Sequence, residues 1–145
     1  VDLSPDVPLV EMDPGLMQQA LVNLIYNAGE AVFERAEDRR IIVTTSLVTG
    51  VAAPRLELRV YDNGPGVATS KLPLMFKKRF STKAHGHGIG LLACYKIVRA
   101  HFGEITYTFD DGALFSITIP VDHTVSISET AEARQPAGQT APANF

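Results

Sequence analysis

Apolar side chains recur every three to four positions at Leu16, Ala20, Leu21, Leu24, Ile25, Ala28 and Val32. That period predicts a helix over residues 14–36 with one face buried. Asp13 is a good N-cap residue, and Pro14 suits the first helical position. Residues 9–12 ahead of it read as a short strand, and 37–40 form a charged turn. β-Branched residues over 41–48 and alternation over 55–61 predict two strands of a hairpin, with an irregular loop between them. From Asp62 to Gly88 the period disappears, and a loop this long inside a compact domain is usually functional. Helical spacing returns over 89–102, where Leu91, Tyr95, Val98 and Phe102 would form one stripe. Strands over 104–109 and 114–119 follow, joined by an Asp110-Asp111-Gly112 turn. Pro120 closes the core, leaving 121–145, rich in Ala, Thr, Pro, Gln and Ser, as a flexible tail. The expectation is one α/β domain over 1–120: an α+β two-layer sandwich with about five strands in a mixed sheet and two long helices.

Composition narrows the class without naming it. The chain has 145 residues, 46% hydrophobic and 20% charged, enough to bury a core without disulfides. A net charge of -3 and a pI near 5.8 argue against nucleic acid or an anionic membrane as the main partner. The single cysteine, Cys94, excludes an intrachain disulfide and lies in an apolar helical run, so a packed thiol is expected. No run of about 18 apolar residues is present, so no transmembrane helix is expected. The first residue is Val1, which suggests a fragment, conceivably the soluble part of a membrane-anchored protein.

Three clusters carry chemistry. Asn23 and Asn27 stand one turn apart on one helix face inside an apolar run. Buried amides need partners. Either the backbone satisfies them, or they serve as neutral oxygen ligands for a hard cation such as Mg2+, which arrives with phosphates. Asp62-Asn63-Gly64-Pro65-Gly66-Val67 follows a strand directly. It is either a plain turn or a carboxylate on a cleft floor, where the exocyclic amine of adenine is an obvious donor. Gly86-His87-Gly88-Ile89-Gly90-Leu91 opens the second helix, either as a hinge or as an anion site of exposed N–H groups. It matches neither a Walker A loop nor a dinucleotide fingerprint.

Between the second and third clusters lies a cationic stretch, Phe76-Lys77-Lys78-Arg79-Phe80-Ser81-Thr82-Lys83. Phe76 and Phe80 are candidate anchors onto the core. Lys77 and Lys78 read as solvated, and Lys83 is the best candidate for phosphate contact. His87 lies within reach of a phosphate, whereas His85 and His101 read as structural or solvated. No histidine has a partner at zinc-ligand spacing.

In this order, the clusters resemble the ATP-binding catalytic domain of bacterial sensor histidine kinases, of the superfamily that includes gyrase B, MutL and the heat-shock chaperone ATPases. The resemblance covers residues 9–120: Gln19 to Ala31 resembles the N box, Asp62 to Gly66 the G1 box, Phe76 to Lys83 the F box, and Gly86 to Leu91 the G2 box. Glu30 and the Phe80-Ser81-Thr82-Lys83 ending are most similar to nitrogen-regulator and oxygen-sensor kinases.

The resemblance implies a Bergerat fold with a flexible ATP lid, and Mg-ATP as the ligand. It implies catalytic side chains Gln19, Asn23 and Lys83, and Asn27 on Mg2+. The nucleotide would be lined by Asn23, Asn27, Asp62, Gly64, Gly66, Val67, Phe80, Lys83, Gly86, His87, Gly88, Ile89, Gly90 and Leu91. Asn23 would stand where gyrase-type relatives carry a general-base Glu. The γ-phosphate would pass to a histidine on a dimerisation domain, then to a response regulator. The parent would be a homodimer, either cytoplasmic or anchored to a membrane that this domain does not touch.

Departures from the family pattern are Arg79 for an aromatic, Phe102 for a glycine, and His87 for a threonine. No histidine is followed by the acidic residue of the phosphoacceptor motif, so that domain is expected ahead of Val1. Two other readings use the same fold: a pseudokinase or phosphotransfer scaffold for protein docking, and an anti-sigma-type Ser/Thr protein kinase.

Overall fold

The computed structural model describes residues 1–33, 35, 37–50, 53–77 and 90–121. A single five-stranded sheet carries two α-helices on one face. Its strands are β1 (Asp2–Leu3), β2 (Ile41–Val48), β3 (Arg55–Asp62), β4 (Glu104–Phe109) and β5 (Ala113–Pro120), in spatial order β1-β2-β3-β5-β4. The helices are α1 (Pro14–Phe33) and α2 (Gly90–Ala100), and a 3-10 turn spans Thr69–Leu74. β1 lies parallel to β2 and every other pairing is antiparallel, so the sheet is mixed, as expected. Among the described residues no helix is long and apolar enough to cross a membrane.

Alternation along β5 turns Ala113, Phe115, Ile117 and Ile119 inward, and these meet Val43, Val60 and Ile105 from neighbouring strands. α1 covers them with Met17, Ala20, Leu24, Ala28 and Val32. The buried stripe is rotated from the expected one, with Met17 inside and Leu16 and Ile25 partly exposed. The small residue Ala20 allows α2 to approach closely. There the buried Cys94 thiol donates to the Ala20 carbonyl oxygen at 3.4 Å, the packed role expected of it. Phe76 also anchors as expected, stacking on Tyr95 with ring centroids 6.0 Å apart.

The start of α1 follows its sequence signals. Asp13 Oδ1 accepts the Leu16 N–H at 2.9 Å. His101 is structural: its Nε2 accepts the Asp13 N–H at 3.0 Å, and its Nδ1 lies 2.7 Å from the Ile97 carbonyl oxygen. That pair of bonds selects the tautomer with the proton on Nδ1.

Three expectations are corrected. Residues 9–12 form no strand; the fifth strand is Asp2–Leu3, paired with Thr44 and Thr45. Val10 and Met12 pack on the core while Leu9 and Glu11 face out, so the alternation is real but satisfied without a ladder. Pro5 and Pro8 lack the N–H groups that would continue pairing from β1. Next, the core does not stop at Pro120: Val121 is buried and its N–H donates to the Pro54 carbonyl at 2.9 Å. The rest of the expected tail, 122–145, lies outside the described residues.

Finally, Phe102 does not extend the α2 stripe. It is 85% exposed with φ 55°, just past the helix end, where the Gly103 N–H closes onto the Val98 carbonyl at 2.9 Å. A left-handed residue in this position is usually glycine, because a side chain there costs roughly 1–2 kcal/mol. Phe102→Gly is therefore expected to stabilise the fold by about 1 kcal/mol, read as a higher urea midpoint at unchanged slope. A lower midpoint would show that the exposed ring contributes packing.

Candidate functional site

α1 is the spine of the site. Gln19, Asn23 and Asn27 follow one another at single-turn intervals beside the buried stripe. Gln19 is exposed, whereas Asn23 and Asn27 are half-buried. The two asparagines differ in what surrounds them. Asn23 acts on Cys94, whose thiol burial pushes up to about 11 while the Asn23 amide opposes that rise. The Asn27 amide has no hydrogen-bond partner among the described residues. One amide of the pair thus lies against the core thiol, and the other makes no bond to the described residues.

β3 delivers the second cluster. Asp62 ends the strand only 2% exposed, and its Oδ1 accepts the Gly64 N–H at 2.9 Å. Burial raises the Asp62 pKa above the ordinary carboxylate range, and the Gly64 hydrogen bond opposes that rise. Gly64 lies tight against α1: a Cβ there would stand 2.8 Å from the Ala31 Cβ. Gly66 has φ 69°, and a Cβ on it would meet the Phe109 ring at 2.5 Å. Both positions require glycine, one for close approach and one for backbone conformation as well.

α2 delivers the third cluster through its first residue. A Cβ built on Gly90 would lie 3.8 Å from Asn23 Cγ, so this helix start faces the Asn23 amide. Leu91, next along, packs on the core. The three sequence clusters therefore converge on one helix, with Gly90 beside Asn23, Gly64 beside Ala31, and Asn27 between them. From Asn23 to Ala31 the helix rises about 12 Å. Phe80, Lys83, Gly86, His87, Gly88 and Ile89, also expected here, lie outside the described residues.

Several supporting residues carried no recognisable signal in the sequence. The Tyr107 hydroxyl on β4 accepts the Val67 N–H at 2.9 Å, and its ring packs on Phe115 at 5.0 Å. Tyr107 and Phe109 together form the wall against which the Gly64-to-Val67 turn rests. Their strand was expected over 104–109, but β5 separates β4 from β3 in the sheet, so the contact depends on sheet order.

The family model describing histidine kinase-, DNA gyrase B-, and HSP90-like ATPases matches residues 12–123. The chain belongs to this family.

Among curated members of the ATPase family, the sensory histidine kinase/phosphatase NtrB of Rhizobium leguminosarum bv. phaseoli is 34% identical, over 89% of this chain and 36% of its own length. The adaptive-response sensory kinase SasA of Gloeothece citriformis is 32% identical, over 83% of this chain and 30% of its own. The chain thus spans about a third of the length of these relatives. Among solved structures, the nucleotide-free catalytic domain of histidine kinase ThkA superposes with a TM-score of 0.69 at 29% identity, covering 83% of this chain and 76% of that one. Full-length ShkA in complex with AMPPNP gives 0.67 at 27% identity, covering 81% of this chain and 24% of that one. The mixed sheet with helices on one face is therefore the Bergerat arrangement of histidine kinase catalytic domains.

Proposed function

We propose that this chain is the nucleotide-binding catalytic domain of a two-component sensor histidine kinase. It binds Mg-ATP along α1 and transfers the γ-phosphate to a histidine on a dimerisation domain. The observation that carries this reading is the convergence of Gly64 and Gly90 on the α1 face that holds Asn23 and Asn27. Likeness to a kinase solved with AMPPNP supports the nucleotide.

Asp62 accepts the adenine amine, and Gly64, Gly66 and Val67 pass beneath the base. Gly90 and Leu91 open α2 toward the phosphates, where free helix N–H groups favour anions. Phe80, Lys83, Gly86, His87, Gly88 and Ile89 complete the phosphate side by resemblance to the family boxes. Asn27 suits Mg2+: its half-buried neutral oxygen lacks a partner among the described residues. The ion, when bound, neutralises phosphate charge that Asn27 itself cannot. Asn23 does not titrate, so it positions without activating water; Gln19, one turn earlier, is exposed toward the acceptor. Catalysis is then positioning plus charge stabilisation.

The dimerisation domain, a response regulator and a homodimeric cytoplasmic parent belong to the same proposal. The test is to supply a dimerisation domain with radiolabelled ATP and examine the phosphorylated product. Acid-labile, base-stable phosphate is expected. Acid-stable, base-labile phosphate would transfer the chain to the Ser/Thr kinases.

A further inference from the structure

A side chain in an Asn-Gly turn ordinarily faces water. Asn63 does not: it is 7% exposed, and both ends of its amide are hydrogen-bonded. Its oxygen accepts the Arg40 N–H at 2.9 Å, and its nitrogen donates to the Asp38 carbonyl at 2.6 Å. Its backbone is held as well, the N–H donating to the Arg40 carbonyl at 3.2 Å and the carbonyl accepting from the Arg35 guanidinium at 2.7 Å. Asp38 adopts φ 52°, an uncommon left-handed conformation, while offering that carbonyl.

We infer that Asn63 and Arg35 are positioning residues for adenine recognition, locking the Asp62 carboxylate to the connection between α1 and β2. The inference rests on the proposed role of Asp62 as the adenine acceptor. Asn63 stands between Asp62 and Gly64, whose N–H orients the carboxylate. With Asn63 pinned on both its side chain and its backbone, the peptide groups on either side have one arrangement. Only a carboxamide satisfies both contacts: a carboxylate would lose the donor to Asp38 and place negative charge against its carbonyl. A segment of exposed charged residues remote from α2 thereby controls the geometry of the base-binding group.

The test is titration of wild type, Asn63→Ala and Arg35→Ala with ATP and with inosine triphosphate, which lacks the adenine amine. The wild type is expected to prefer ATP. Asn63→Ala is expected to lose about 5- to 10-fold in ATP affinity, the scale of one or two hydrogen bonds, with inosine triphosphate affinity nearly unchanged. Arg35→Ala, an exposed change that leaves the core intact, is expected to shift the same ratio about 2- to 3-fold. A merely structural role would lower both affinities together. An unchanged ratio in Arg35→Ala and in any folded Asn63→Ala would overturn the inference. Absence of preference in the wild type would instead sink the Asp62 assignment, and this inference with it.

Discussion

Asn27→Ala is expected to remove the magnesium dependence of nucleotide binding while leaving a folded domain. Alanine is the best helix former, and Asn27 is only half-buried, so α1 loses nothing it needs. What disappears is a neutral amide on the α1 face between Asn23 and Ala31, with no bond to the described residues. Removing a metal ligand should reduce Mg-ATP affinity by at least about 10- to 100-fold, the range set by losing even a residue that supports a ligand. Affinity for ATP without magnesium should stay near the wild-type value, because the Asp62 contact survives. A fluorescent ATP analogue titrated with and without Mg2+ reads both quantities. Equal magnesium responses in the two proteins would remove Asn27 from this role.

Asp62→Asn should weaken recognition and strengthen the fold. In the cleft, a carboxylate accepts from an amine and repels the carbonyl edge of guanine, whereas a carboxamide does not discriminate in that way. The ATP-over-GTP preference should therefore fall by roughly 10- to 100-fold, the value of a hydrogen bond to a charged group.

The stability effect follows from burial, which raises the Asp62 pKa despite the Gly64 N–H. For an acid whose pKa is raised by folding, the stability contribution is complete below the pKa of the unfolded chain. It is lost as pH rises through the raised folded value. At neutral pH, above the unfolded carboxylate range, the wild type has thus lost at least part of that contribution, a cost that asparagine avoids. The variant should melt at a higher temperature at pH 7, with the advantage shrinking as pH falls toward the unfolded carboxylate range. A pH-independent difference or a lower melting temperature at pH 7 would contradict the stability half, and an intact nucleotide preference would contradict the recognition half.

Much of this was legible in the residues because the informative signals were local. Asp13 and Pro14 marked the start of α1 one residue apart. The first hairpin appeared as a β-branched run and an alternating one across an irregular loop, the second as two strands across the Asp110-Asp111-Gly112 turn. β2 pairs β3 and β4 pairs β5 in register. Single-turn spacing placed Asn23 and Asn27 together whatever the tertiary fold, and Gln19 entered through the family resemblance. What escaped was long-range. β1 is two residues of parallel pairing, too short to leave a periodic trace. Tyr107 meets Val67 only because β5 lies between β3 and β4. Asn63 read as a turn residue because its partners at Asp38 and Arg40 come from another connection. Phe102 followed the helical period but sits where the helix has already reversed hand, a case of backbone geometry overriding pattern.

The central claim is that Mg-ATP lies along α1 between the Asp62-to-Val67 turn and the start of α2. Chemical-shift mapping with a non-hydrolysable ATP analogue and Mg2+ tests it residue by residue. The account predicts the largest backbone amide changes at Asn23, Asn27, Asp62, Gly64, Val67 and Gly90, with little change at Arg55, Glu57 and Arg59 on the opposite face of the sheet. Changes concentrated on that opposite face, or no changes at saturating nucleotide, would contradict it.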